Sequence, residues 1–136
     1  LSSAAQAPVD PAAMTAAKNL SDNDPYTESK LALTMWSRKM GLDHREQGPM
    51  IVAVNPGSLL GSKMVKDAYG VDGGDIQTGA DILCKAALDD AFATAHGTHF
   101  DNDSGSFASP HPDALDAIKL EAVIRAIDSV LATVLD

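Results

Sequence analysis

Pro25-Tyr26-Thr27-Glu28-Ser29-Lys30-Leu31-Ala32-Leu33 is the stretch on which the reading of this chain turns. Tyrosine and lysine four positions apart share one face of a helix, a turn away from each other. A free phenol titrates near pH ~10 and donates protons poorly at neutral pH. An ammonium group one turn away favours the phenolate and lowers that value. A tyrosine tuned in this way can act as general acid or base on a carbonyl or an alcohol. Taken alone, such a pair is more often part of a solvated helix face.

Working outward, the chain opens with Leu1-Ser2-Ser3-Ala4-Ala5, an apolar residue running into a serine pair. On the other side, Met50-Ile51-Val52-Ala53-Val54 is a short apolar, β-branched run that predicts a buried strand. It runs into Asn55-Pro56-Gly57-Ser58-Leu59-Leu60, where Pro56 cannot donate to a ladder and ends the strand. A serine, then Tyr-x-x-x-Lys on a helix, then a strand ending in Asn-Pro-Gly resembles, in that order, the C-terminal half of the short-chain dehydrogenase/reductase family. The resemblance covers nearly the whole chain. The long interval between Ser3 and Tyr26 looks most like the retinol-dehydrogenase-like branch.

The resemblance implies an α/β chain forming the C-terminal half of a doubly wound, Rossmann-type parallel sheet. It implies an NAD(P)-dependent oxidoreductase that interconverts an alcohol and a carbonyl. Tyr26 would be the acid/base. Lys30 would lower the tyrosine pKa and hydrogen-bond the nicotinamide ribose, and Ser3, rather than Ser2, would hold the substrate oxygen. Pro56, Gly57, Ser58 and Leu59 would lie along the nicotinamide, Gly57 because only glycine lets backbone approach that closely. Ser62 would contact the carboxamide, although it stands one position later than the family's usual hydroxyl. The choice between NAD and NADP rests on residues outside this chain.

No Gly-rich turn of the G-x-G-x-x-G kind exists here, and the one close pair, Gly73-Gly74, follows no strand. With Leu1 reading as the tail of a strand, a fragment is expected, lacking the nucleotide-binding first half and the family's catalytic asparagine. Half a sheet leaves an open edge and bare helix faces. A homo-oligomer is therefore expected, with contacts on the helix carrying Met35 and Trp36 and on the helix carrying Leu83 and Ala87. A non-enzymatic α/β binding or interaction module remains the alternative.

Composition sets the outer limits. Hydrophobic residues at 45% of 136 are enough for one core. Ten Lys and Arg against nineteen Asp and Glu give a net charge of −9, which argues against nucleic acid and anionic membranes. No apolar run approaches the ~20 residues of a membrane span. Cys84 stands alone, so no internal disulfide forms, and a reducing, cytoplasmic setting is expected. Its apolar surroundings make it a core residue in this reading.

The remaining elements follow from pattern. Residues 4–23 read as a loop with a helical turn at Ala12–Lys18. The helix carrying Tyr26 is expected to be capped by Asp24, to start at Pro25 and to stop at Gly41. Residues 59–71 read as a mobile lid over the substrate. Ile76, Ala80, Leu83, Ala87 and Ala91 mark a helix ended by Gly97, and Thr98-His99-Phe100 marks a last strand. That strand is expected to lie parallel to residues 50–54 through a right-handed crossover. The segment Asp101 to Pro110 reads as a solvated turn; it lacks the Gly and Glu of a calcium loop. His96, His99 and His111 have no ligand spacing, and His44 reads as exposed. A final helix is expected from near Pro112, with Leu120, Val123, Ile124, Ile127, Leu131 and Val134 as its apolar face.

Overall fold

A computed structural model of the chain describes residues 1–16 and 25–135. Asp24 and Lys18, expected as a cap and as the end of a helical turn, lie outside them. The described residues form a mixed α/β architecture, with five α-helices and a three-stranded mixed sheet. Helix α1 is Pro11–Thr15, α2 is Pro25–Asp43, α3 is Lys63–Tyr69, α4 is Ile76–Leu88 and α5 is Ala117–Val134; the strands are β1 Ala53–Asn55, β2 His99–Asp101 and β3 Ser106–Ala108. The strand order is β1-β2-β3.

Strands β1 and β2 are parallel, with Ala53 opposite His99 and Asn55 opposite Asp101. A parallel pair needs a long connection, and α3 and α4 supply it. Strand β3 was not anticipated. It returns antiparallel on β2, with Phe100 opposite Phe107, so the sheet is not purely parallel as expected. The segment read as a solvated turn is the tip of this hairpin, closed by Gly105 at φ +67°. The N-terminal segment lies on the other side of β1, where Ser2 N–H donates to the Val54 carbonyl at 2.8 Å.

Side chains of a strand alternate between faces, and two apolar clusters result. Val54 and Phe100 pack with Ile82 and Ala86 of α4 and with Phe92 and Ala95 beyond it. Leu31, Ala32 and Met35 of α2 pack with Leu120 and Val123 of α5, and Val9 and Met14 close that cluster from the α1 side. All three phenylalanines, Phe92, Phe100 and Phe107, form a triangle with ring centroids 5.0–5.1 Å apart.

Several expectations are corrected here. Met35 is 1% exposed and belongs to the core, so a contact of α2 with another copy would have to use the helix's other faces. Gly41 does not stop α2, which continues to Asp43. A Cβ on Gly41 would lie 2.2 Å from the Gly97 nitrogen and 2.7 Å from the Ile51 carbonyl oxygen. The glycine is there because the helix crosses the backbone ahead of β2, not because the helix ends. Helix α4 stops at Leu88, well before Gly97, and buries Gly79, Ile82 and Ala86. The apolar residues that mark the helix in the sequence lie on its outer face, with Ile76 and Leu83 exposed. Cys84 goes with that outer face and is exposed. The chain passes through a single 3-10 turn at Pro112–Ala114 before α5 begins. Helix α5 buries Leu120, Val123 and Ala126, while Leu131 and Val134 are exposed.

Candidate functional site

Helix α2 begins at Pro25, whose missing N–H is no loss at a first turn. Tyr26 and Lys30 therefore lie one turn apart, and the Lys30 ammonium sits 5.5 Å from the centre of the tyrosine ring. The same ammonium donates to the Leu1 carbonyl at 3.2 Å, which ties the opening segment to α2. Ser2 is buried, its hydroxyl 2.6 Å from that of Thr34. Ser3 is half-buried and accepts from the Ala5 N–H at 3.1 Å. Both serines border the same open space, Ser3 with the more exposed side chain.

That space is a cleft of about 850 Å3. Its wall carries Ser3, Tyr26 and Lys30 together with Pro56, Gly57, Ser58, Leu59 and Ser62. Every residue expected at the site thus borders one cleft, although the segments come from distant parts of the chain. The volume falls within the range of ~300–1,000 Å3 usual for small-molecule sites. Leu60, Met64, Val65, Tyr69, Ile76 and Leu83 make the rest of the wall largely apolar.

The segment expected as a mobile lid has a defined structure. Ser62 caps α3, its hydroxyl accepting from the Val65 N–H at 3.3 Å. The helix ends at Gly70 in the left-handed region. Leu60 and Gly74 form a parallel bridge, and Gly61 and Gly74 pair through backbone. The segment therefore lies along the cleft as a short helix held at both ends. The Ser62 hydroxyl, assigned in advance to a carboxamide, already holds a backbone N–H.

The turn after β1 is fixed by groups that sequence reasoning missed. Asn55 is 1% exposed, and its Nδ2 donates to Asp101 at 2.7 Å and to Asp103 at 2.9 Å. Its Oδ1 accepts from the Gly57 N–H at 3.3 Å. Asp103 also accepts from the Ser58 N–H at 2.8 Å and from the Ser58 hydroxyl at 2.6 Å. Asn102 donates to the Pro56 carbonyl at 2.9 Å. The hairpin tip thus clamps Pro56, Gly57 and Ser58 from the sheet side. Hydrogen bonds to the ionised form favour it. The Ser58 hydroxyl and N–H hold Asp103 below the usual carboxylate range, and the Asn55 amide does the same for Asp101. One sequence signal could have exposed the clamp. Phe100 and Phe107 alternate with polar residues around Asp-Ser-Gly, which is a hairpin pattern.

Two backbone features shape the same turn. Gly57 has φ +128°, a conformation that L side chains rarely adopt, and Leu59 stands at φ +50° beside it. On the opposite wall, a Cβ on Gly79 would lie 2.5 Å from Leu60 Cδ1, so the bare glycine lets α4 approach this turn.

Comparison of the chain with family models, with curated proteins and with solved structures gave no match. No described helix is long and apolar enough to cross a membrane. Among the described residues, no group of three or more His, Cys, Asp or Glu is arranged to hold a metal ion. What the cleft offers chemically is a phenol beside an ammonium, serine hydroxyls, a turn with one bare glycine, and an apolar wall.

Proposed function

We propose that this chain is the catalytic part of an NAD(P)-dependent oxidoreductase that interconverts an alcohol and a carbonyl, built on the C-terminal half of a doubly wound fold. The observation that carries this reading is the convergence of Ser3, Tyr26, Lys30 and the Pro56–Ser62 turn on one cleft. The parallel pairing of β1 with β2, with the opening segment along the other side of β1, supports the fold assignment.

In reduction, the Tyr26 hydroxyl gives its proton to the substrate carbonyl oxygen; in oxidation it takes the proton of the alcohol. Ser3 donates a hydrogen bond to the same oxygen and fixes it against the phenol. Lys30 orients Tyr26 across the ring face and would hold a ribose hydroxyl of the cofactor. The apolar wall holds the substrate body and excludes water. Gly57, with no Cβ and a positive φ, leaves room for a flat ring beside Pro56, Ser58 and Leu59. These residues fit the nicotinamide end of the cofactor; the sequence has no Gly-rich turn to cradle its phosphates. Bound there, NAD or NADP supplies or accepts the hydride. Exposed Leu83, Leu88 and Ile118 support self-association as part of the same reading.

The test is hydride transfer followed by nicotinamide absorbance over a panel of alcohols and carbonyls. The protein is expressed with whatever coding sequence precedes Leu1. Tyr26→Phe keeps the ring and removes the proton donor, so turnover should fall by roughly 10²–10⁴-fold with unchanged circular dichroism. Near-parent activity in Tyr26→Phe would remove the tyrosine from this role. No turnover of any alcohol or carbonyl by the parent would leave the non-enzymatic module standing.

A further inference from the structure

The cleft sorts substrates by what its wall lacks. Among the described residues that form it there is no Asp, Glu, Arg or His, and Lys30 is the one cation. Its ammonium lies against the Tyr26 ring and donates to the Leu1 carbonyl. Most amide and hydroxyl groups of the wall are engaged as well. Asn55 gives its Nδ2 to Asp101 and Asp103 and its Oδ1 to the Gly57 N–H. The Ser58 hydroxyl donates to Asp103, that of Ser2 pairs with Thr34, and that of Ser62 accepts from the Val65 N–H. An anion entering the cleft would meet no uncommitted cation. A cation would meet Lys30 and no carboxylate. A sugar or polyol would lose its hydration without enough partners, and polar groups buried unpaired are costly.

What the wall does offer is apolar surface that the fold leaves in water. Met64 and Tyr69 of α3 are 52% and 66% exposed, Ile76 and Leu83 of α4 are 57% and 40% exposed, and all four border the cleft. Covering such surface is favourable roughly in proportion to its area. The two helices are held in place: Gly61 N–H donates to the Gly74 carbonyl at 2.7 Å beside α3, and the bare Gly79 seats α4 against Leu60. At about 850 Å3 the cleft lies near the top of the ~300–1,000 Å3 range of small-molecule sites, so a bulky body fits beside the nicotinamide end.

We infer that the substrate is a bulky, uncharged alcohol or ketone with an apolar body, held by Met64 and Tyr69 on α3 and by Ile76 and Leu83 on α4. The same wall rejects keto acids, sugars and acyl thioesters of phosphate-bearing carriers. The inference rests on the oxidoreductase reading and adds to it which molecules the site accepts.

The probes are methyl ketones that share one reacting group: butanone, 2-acetylnaphthalene and 6-acetyl-2-naphthoic acid. They are offered with NADH or NADPH to the protein expressed with whatever coding sequence precedes Leu1. The kcat/KM for 2-acetylnaphthalene should exceed that for butanone by at least about 100-fold and that for the acid by at least about tenfold. Leu83→Ala and Tyr69→Ala, both at exposed positions, should raise KM for 2-acetylnaphthalene about tenfold with kcat little changed, the mark of lost uniform binding, and affect butanone far less. Met64→Lys should narrow the gap between the acid and its neutral counterpart several-fold. Binding is read apart from turnover with the fluorescent ketone 6-propionyl-2-(dimethylamino)naphthalene. Its emission should shift to the blue saturably, with an affinity about tenfold weaker in Leu83→Ala. Should the parent reduce butanone, the acid or a sugar as well as 2-acetylnaphthalene, or should the alanine variants change all the ketones alike, the substrate inference falls while the oxidoreductase reading stands. Should the parent turn over no alcohol or carbonyl at all, the reading itself fails and takes the inference with it.

Discussion

Replacing Gly41 by alanine sets two effects of opposite sign against each other. Gly41 lies inside α2, two residues before its end. On helix propensity alone the substitution should stabilise the chain by about 1 kcal/mol. Tertiary packing opposes this. The new methyl would meet the Gly97 nitrogen at 2.2 Å, the Gly97 Cα at 2.7 Å and the Ile51 oxygen at 2.7 Å. These are backbone atoms, and the Gly97 N–H is itself bonded to that Ile51 oxygen at 2.9 Å. Gly97 is pinned further, because Arg38 donates to its carbonyl at 3.0 Å. None of them can swing away as a side chain would. Forcing extra atoms into packed structure costs about 1–3 kcal/mol, and more where backbone must move. Taking the upper end, the clash exceeds the propensity gain and leaves a net loss of about 2 kcal/mol. Urea unfolding followed by circular dichroism should therefore show a midpoint lower by about 1 M with unchanged slope. An alanine variant as stable as the parent, or more so, would refute the close crossing of α2 over the approach to β2.

Three further outcomes test the hairpin clamp and the outer face of α4. Asn55→Ala removes three hydrogen bonds, two of them to carboxylates, and should lower stability by about 2–3 kcal/mol in urea unfolding; a loss below about 0.5 kcal/mol would leave the clamp without weight. Asp103 has a folded pKa depressed below its ordinary value of 3.8. Its contribution is therefore full above that value and disappears as the pH falls through the lower, folded one. Asp103→Asn should be less stable than the parent at neutral pH, with the two converging as the pH falls through the folded value; a gap that widens on acidification would reverse the sign and reject the assignment. Cys84, on the exposed face of α4, should react with a thiol reagent in the native state as fast as a free cysteine, and protection until denaturant is added would return it to a core or an interface.

Much of the site was legible because it depends on local chemistry. Pro25 at a first turn, the four-residue step from Tyr26 to Lys30 and the Pro56 stop after a β-branched run are each decided by neighbours in sequence. Less of the packing was legible. The apolar residues of α4 fit two stripes, one through Ile76, Ala80 and Leu83 and another through Gly79, Ile82 and Ala86. Hydrophobicity favours the first, yet the second faces the sheet. The bare surface of Gly79 is what lets α4 approach the Pro56–Leu60 turn, and no periodicity argument registers a glycine as core. What the apolar side of α2 packs against was open for a related reason. An apolar residue beside Trp36 suits a subunit contact as well as a core, until α5 is known to lie over it.

The sequence by itself determined the short-range features: a helix starting at Pro25 with a phenol and an ammonium on one face, a strand ended by Asn-Pro-Gly, and an acidic chain with one cysteine. These follow from covalent geometry, spacing and charge, which need no partner. Only the tertiary structure decided that residues from Ser3 to Ser62 border one cleft, that Gly41 and Gly97 mark a crossing of backbones, and that the hairpin tip holds Asn55 and Ser58. Each of these depends on which surfaces meet across many residues. A contact between Asn55 and Asp103, or between Gly41 and Gly97, leaves no periodic trace in the chain, because what selects it is the fit of whole elements.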